Sequence, residues 1–428
     1  MPADAFTGRA ANRSGERQGA AGELARWATA LEPSQDDLVL ARRALLDTVA
    51  VMLAARGQPL LELFERLSEP GYWAAVAHVL DFDDLHMPST THISAVCVPA
   101  ALASGGDERA YLAGAGTMAR LGVALGWRHY RAGWHATCTA GAPAAAVTAA
   151  VAHGLDARRT AIALALAVPA AGGVQRAFGT SAKALQVGFA AEAGVRAAAL
   201  AGAGASADPR ALDDWLALVG GDPSALQCSG PAVPDGLAIK LFPCCYALQR
   251  PISALAAIAP PNADRVTKVR VATPASAVAP LLHHRPRTGL EGKFSLEYGL
   301  AATLLDGRPD LTSFTDDAVR RPQARRLVEC VELTATAAGE HLLAGEVEVE
   351  VDVEVERELE GGCGDALRTT LALPPGAPGR PPSELELRAK LEACAGGAAG
   401  ELAALSWESA AAFLRQAVPE RSRAPSAF

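Results

Sequence analysis

Near residue 236 the hydrophobic pattern of this chain changes period, and that change restricts the fold more than any single motif. Before it, from Leu24 onward, apolar residues recur at helical spacing, and Ala-rich helical patterns run through 91–126, 139–154, 159–171 and 183–203. Ser34 stands three residues before Asp37 and is placed to cap a helix that continues to about Gly57. After it, RVTKVRVAT (265–273), RLVECVEL (326–333) and EVEVEVDVEVE (346–356) alternate apolar with polar residues, which predicts strands. In the last of these Val347, Val349, Val351, Val353 and Val355 share one side, while Glu346, Glu348, Glu350, Asp352, Glu354 and Glu356 share the other. That charged side reads as a solvated sheet face rather than a metal site.

The stretch LPPGAPGRPP (373–382) is a rigid connector, and Ser383 with Glu386 has the spacing of a capping box, so the chain ends helical. Helices, then an α+β segment, then helices again predict a mainly α protein with an α+β lid. The expected boundaries are a disordered tail at 1–21, a helical domain at 22–236 to which 384–428 returns, and an inserted α+β lid at 237–383. Half of the 428 residues are hydrophobic but only 5% are aromatic, so the core must be built from Ala, Val and Leu on closely packed helices. A net charge of −8 disfavours nucleic acid and anionic membranes as partners and leaves a small molecule.

The eight cysteines, at 97, 138, 228, 244, 245, 330, 363 and 394, form no CxxC pair and read as reduced thiols. The first twenty residues lack the apolar run of a signal peptide, and the apolar stretches near 143–152 and 161–171 fall short of the roughly 20 residues that span a bilayer. A cytoplasmic protein is expected.

No GxGxxG following a strand, Walker loop, HExxH or GxSxG is present, which removes the common phosphate-loop, zinc-protease and α/β-hydrolase readings. Polar residues set in very apolar sequence remain. AHVLDFDDLHMPSTTHISAVCVPAALA (77–103) places Asp81, Asp83, Asp84, His86 and His92 ahead of an apolar helix, where capping, a metal cluster or catalysis are all open readings. His135 lies between a Gly-bearing loop and a helix of small residues, either as a proton carrier or as a hydrogen-bonded helix start. Lys183 is the only cation between 177 and 194, and Lys240 sits among apolar neighbours in AIKLFPCCYAL. Such lysines either snorkel to water or, facing one cleft, clamp carboxylates and stabilise an enolate-like charge.

These segments resemble the MmgE/PrpD family, which includes 2-methylcitrate dehydratase and cis-aconitate decarboxylase. DFDDLH…H (81–92) is similar to the family's DFDDTH…H, GWHATCTAG (133–141) to GFHPTGTAG, SAKALQVGFAA (181–191) to SKALHxGxAA and IKLFPCC (239–245) to KxYPCC. KFSLEYGLAATLLDG (293–307) and the PPGAPGRPPSELELRAKLEAC stretch (374–394) also resemble family elements, so that the likeness spans about 22–415. The resemblance implies a helical domain made from both chain ends, an α+β lid, a homodimer and no required cofactor, with no metal. It carries active-site roles onto Asp81, His92, His135, Lys183 and Lys240. Lys183 and Lys240 then bind substrate carboxylates, His135 moves the proton at carbon, and His92 with Asp81 assists.

Three positions depart from the family pattern: Leu85 for Thr, Gln186 for the His of KALH, and Gln249 where a His often follows KxYPCC. Leu85 and Gln186 are therefore counted as substrate-facing positions that alter the ligand, and the segment before Asp81 is short enough to have lost a helix. The leading expectation is a cofactor-independent lyase that dehydrates or decarboxylates a small polycarboxylate or related β-oxygenated acid. The alternatives are an isomerase, epimerase or specialised biosynthetic enzyme using the same site, and a catalytically silent ligand-binding homologue.

Overall fold

A computed structural model describes residues 19–258, 262–337, 339–353 and 367–419. Most of the expected tail, Cys363 and the end of the acidic strand at 354–356 lie outside the described residues. The first part is helical: α1 (Ala20–Thr29), α2 (Gln35–Ala54), α3 (Leu61–Phe64), α4 (Glu69–Val79), α5 (Ser94–Ala103), α6 (Glu108–Arg131), α7 (Ala136–Ala152), α8 (Ala157–Ala167), α9 (Ser181–Gly202), α10 (Ala211–Leu218) and α11 (Tyr246–Ala257). Strand β1 (Val266–Pro274) is followed by α12 (Ala275–Val278), α13 (Gly289–Gly292), α14 (Leu296–Asp306), α15 (Asp316–Arg320) and α16 (Pro322–Glu329). Strands β2 (Val331–Thr336), β3 (Val347–Val353) and β4 (Leu367–Leu371) precede α17 (Glu384–Ala395), α18 (Ala399–Ala403) and α19 (Trp407–Ala417). The chain is thus mainly α with a small mixed sheet.

The helical part is organised around α7, which is buried from Ala136 through Val151 and packs against α6 and α9. Small residues set that closeness: a Cβ added at Gly194 on α9 would fall 2.4 Å from the Ala142 carbonyl oxygen of α7. The helical spacing of 24–57 is carried by α1 and α2, and Ser34 caps α2 as expected, in a complete capping box with Asp37. Ser383 and Glu386 form a second such box at α17. One apolar cluster joins residues between Ala20 and Val233 to residues between Cys394 and Val418, because α17 and α19 pack back onto α2. A second cluster gathers Leu85, Phe178 and apolar residues between Ala238 and Val351. The segment ahead of Asp81 holds the single turn α3 and the helix α4, whose start at Glu69–Pro70 suits a first helical turn.

The sheet has the order β2-β1-β3-β4, with β1 parallel to β2 and the other pairs antiparallel. Val271 pairs with Leu333 on one side and with Val349 on the other. Val347, Val349 and Val351 are buried, in keeping with the alternation, beneath α11. The opposite face is knitted by charge: Arg270 reaches Glu350 at 2.6 Å and Asp352 at 2.7 Å, and Arg368 pairs with Glu348. One strand expectation is corrected. RLVECVEL (326–333) is helical through Glu329, because Pro322 opens α16 and Ala324 and Leu327 bury one helical face, and strand begins at Val331.

Candidate functional site

Two loops and two helix starts converge at the meeting of the two apolar clusters. The 80–92 loop leaves α4 through Asp81, whose φ of 53° is left-handed, a conformation that a non-glycine residue holds only when its surroundings fix it. Lys240 supplies that fixing by donating to both the Asp81 carbonyl oxygen (2.9 Å) and Asp81 Oδ1 (2.6 Å). Leu85 and Ala238 exchange backbone hydrogen bonds and tie this loop to the 237–245 loop. His135 is the N-cap of α7, with its backbone N–H on the Gly173 carbonyl oxygen. Lys183 enters on the first turn of α9, which Thr180 caps.

The side chains meet around Asp81 and Asp83. Lys183 Nζ lies 3.3 Å from Asp81 Oδ1 and 2.5 Å from His78 Nε2. His78 Nδ1 bonds Asp83 Oδ2 at 2.7 Å. His92 Nδ1 stands 3.1 Å from the same oxygen, within ion-pair distance though off hydrogen-bond alignment, and its Nε2 is 4.0 Å from Asp81 Oδ1. The His78 ring contacts those of His92 (centroids 4.7 Å apart) and His135 (5.8 Å). His135 Nδ1 accepts from Gln186 Nε2 at 2.7 Å and lies 3.2 Å from Cys138 Sγ.

Two carboxylates and two ammonium groups balance here, and burial leaves the imidazoles neutral. Burial pushes Asp81 up, but Lys183 and Lys240 outweigh it and hold its carboxyl below the usual range. Asp83 is likewise held low, burial being outweighed by His78, His92 and Lys240. Lys240 is raised, because its two carboxylates outweigh its burial. Burial lowers His92 to about 4 and, reinforced by Lys183, takes His135 well below its ordinary value.

Two small cavities border this cluster. One of about 20 Å³ is lined by Asp81, Leu85, His92, Tyr130, His135 and Lys183, among others. The other, of about 10 Å³, lies between Asp81, Lys183 and Lys293. Asp81, His92, His135 and Lys183 are therefore brought together as expected from sequence, and Leu85 joins their wall. Lys240 is not on it: fully buried, it stands behind Asp81 and lines neither cavity. Gln186 meets His135 rather than the cavity, and its amide is fixed by Val174, whose N–H donates to Oε1 and whose carbonyl accepts from Nε2. Gln249 braces the 241–244 backbone from within. Asp84 and His86 are held elsewhere, by Ser94 and by Ser89 and the Pro234 carbonyl.

Residues not expected from sequence complete the cluster. His78 sits on the last turn of α4, and the pattern that marks it is a histidine five residues before Asp83 in an otherwise apolar helix. Lys293, whose amine donates to the Leu80 and Pro243 carbonyl oxygens, is lowered by burial to about 8. His78, Asp81, Asp83 and His92 offer ligand atoms within 4.8 Å of one another, as a metal site does. The fit to a divalent ion is mixed: Asp81 Oδ2, Asp83 Oδ1 and His92 Nδ1 are buried without a hydrogen-bond partner, but the other ligand atoms are engaged. Asp81 Oδ1 already accepts from both lysines, His78 uses both ring nitrogens, and the lysines supply the positive charge that an ion would bring.

The N-terminal domain profile of the MmgE/PrpD family matches residues 72–216, and its C-terminal domain profile matches residues 242–416. The chain belongs to the MmgE/PrpD family. No curated protein matches it.

Proposed function

We propose that the protein is a lyase of the dehydratase or decarboxylase type acting on a small carboxylic acid, without a cofactor, as a cytoplasmic homodimer. The observation that carries the reading is the placement of two buried imidazoles, His92 and His135, and the Lys183 amine around one small cavity. His92 turns Nδ1 toward the Asp83 carboxylate, which favours the proton on that nitrogen and leaves Nε2 as an acceptor. His135 accepts at Nδ1 from Gln186, so its proton is assigned to Nε2. His92 is then the base that removes the proton next to the substrate carboxylate. His135 donates a hydrogen bond to the oxygen on which charge develops, as a neutral imidazole can.

Lys183, with one N–H beyond those given to His78 and Asp81, binds the carboxylate and stabilises the enediolate-like charge in a buried site. In dehydration the electron pair of the broken carbon–hydrogen bond forms the double bond, and hydroxide departs as water with the proton held by His92. In decarboxylation the carbon–carbon pair stays on carbon as carbon dioxide leaves, and that carbon takes a proton that His92 Nε2 has collected from solvent. Lys240 does not clamp substrate in this scheme. It keeps Asp81 ionised and in its left-handed turn.

Proton NMR in deuterium oxide with citrate, 2-methylcitrate, cis-aconitate and 2-hydroxy diacids tests the proposal by following elimination and carbon–hydrogen exchange together. Net loss of water or carbon dioxide, reduced about 10²-fold or more in His92→Asn, is the expected result. Exchange without elimination makes the protein an isomerase or epimerase. Undiminished turnover in His92→Asn removes that residue as the base.

A further inference from the structure

We propose that the Tyr130 hydroxyl is a further substrate-binding group of this site and donates a hydrogen bond to the carboxylate that Lys183 holds, so that charge developing there is shared by an ammonium, a phenol and an imidazole. The inference rests on the proposed reading of the His92, His135 and Lys183 cavity as the place where the carboxylate is handled.

Placement is the first argument. Tyr130 lies on the last turn of α6 and borders the same cavity as Asp81, His92, His135 and Lys183. That cavity of about 20 Å³ has room for about one water, so a polar group entering it meets the side chains of its wall together. The electrostatic neighbours of the phenol oxygen are Asp81 and Cys245, both in the cavity wall, which puts the hydroxyl end of the ring at the cavity. The rest of the residue is fixed from outside. Its ring stacks on that of Trp127, with centroids 5.0 Å apart. Its carbonyl oxygen accepts from Gln175 Nε2 at 2.6 Å, and the same amide reaches the Trp134 carbonyl oxygen at 3.0 Å. Gln175 thereby ties Tyr130 to the residue before His135, and one side chain sets both the phenol and the imidazole in place.

An unmet hydrogen bond is the second argument. A buried phenol ordinarily finds a partner for its O–H. Tyr130 is 6% exposed, and its hydroxyl makes no hydrogen bond to a described residue. The other phenol of the cavity wall, Tyr246, already rests on Met87 Sδ at 3.6 Å. Burial, reinforced by Cys245 and Asp81, holds the Tyr130 phenol well above its ordinary range, so it keeps its proton and donates at neutral pH. A donor without an acceptor, beside an ammonium and an imidazole that also donate, matches a ligand group with several lone pairs, and a carboxylate offers about four. A phenol and a neutral imidazole aimed at one oxygen-bearing group stabilise enolate-like charge as it develops.

The test is carbon-13 NMR of the full chain labelled at tyrosine Cζ, titrated with succinate and with tricarballylate, two unreactive acids, beside calorimetry of the same mixtures. Of the five tyrosine resonances, the one lost in Tyr130→Phe is expected to move on saturation. Tyr130→Phe keeps a ring on Trp127 and should bind either acid about tenfold or more weakly, the equivalent of about 1.4 kcal/mol, and Lys183→Met should weaken binding as well. Binding that leaves the Tyr130 resonance in place, or equal affinity in Tyr130→Phe, overturns the role of Tyr130 and leaves the carboxylate reading standing. Failure of both acids to bind the unsubstituted protein overturns both readings. Should Tyr130→Phe not fold, Tyr246→Phe decides the matter, because Tyr72, Tyr111 and Tyr298 border neither cavity of the cluster. A shift that persists in Tyr246→Phe belongs to Tyr130, and one that vanishes overturns the proposal.

Discussion

At the scale of single residues, the site is governed by which nitrogen of each imidazole holds its proton, and that is set by neighbours outside the cavity. Gln186 cannot turn its amide over without losing both of its contacts to Val174, so it presents an N–H to His135 Nδ1. Gln186→Glu replaces that donor with an acceptor, which should move the His135 proton to Nδ1 and raise the pKa of the ring. Nitrogen-15 correlation spectra should show the change of tautomer, with turnover lower by about tenfold or more and its pH profile displaced upward. An unchanged tautomer would remove Gln186 as the positioning residue. Part of this was legible in the sequence: Asp81, His92, His135 and Lys183 stand out as polar residues in apolar surroundings. The depth of each was not. Lys240 and Lys183 look alike in sequence, yet one is fully buried against Asp81 and lines no part of the cavity while the other borders it.

At the scale of elements, the acidic 80–84 turn is held from the far end of the chain. Lys390 on α17 donates to the carbonyl oxygen of Phe82 at 2.9 Å, pairs with Asp47 of α2 at 2.6 Å and lies 4.3 Å from the centroid of the Phe82 ring. Removing one partner of a buried pair strands the other, whereas removing both does not. Lys390→Met should therefore cost about 3–5 kcal/mol of stability, and Asp47→Leu combined with Lys390→Met should recover most of it. Urea denaturation of the two single variants and the double variant checks this, and additive losses would show that the pair does not act as a unit. The sequence revealed the capping box that starts α17 but not this contact, since a helix start is a local signal and the partners of Lys390 lie 308 and 343 residues away. The same locality explains the misread 326–333 stretch. Alternation there is too short to choose between strand and helix, and the choice is made by Pro322 and by burial of Ala324 and Leu327.

At the scale of the whole molecule, the meeting of two apolar clusters buries titratable groups of opposite habit, and their balance sets how stability changes with pH. His92 titrates near 4 in the folded protein against about 6.5 for an exposed imidazole, and His78 and His135 are lowered by the same burial. Between those values the unfolded chain holds protons that the folded chain refuses, so stability rises with pH through that window and is lost on acidification. Asp84 has the opposite sign. Burial raises it to about 7 from an ordinary 3.8, so the folded chain holds a proton that the unfolded chain lacks, and stability falls as pH climbs through that range. Asn at position 84 keeps an oxygen for the Ser94 N–H and offers an N–H to the Ser94 hydroxyl, which can then donate to the Tyr111 hydroxyl. Asp84→Asn should therefore fold, and its stability relative to the parent should increase from pH 4 to pH 8 by on the order of a few kcal/mol, at about 1.4 kcal/mol per pKa unit removed. Urea midpoints across that range read the difference directly. Parallel curves for the two proteins would show that folding leaves Asp84 with no extra proton between pH 4 and pH 8, which overturns its role in the loss of stability at high pH.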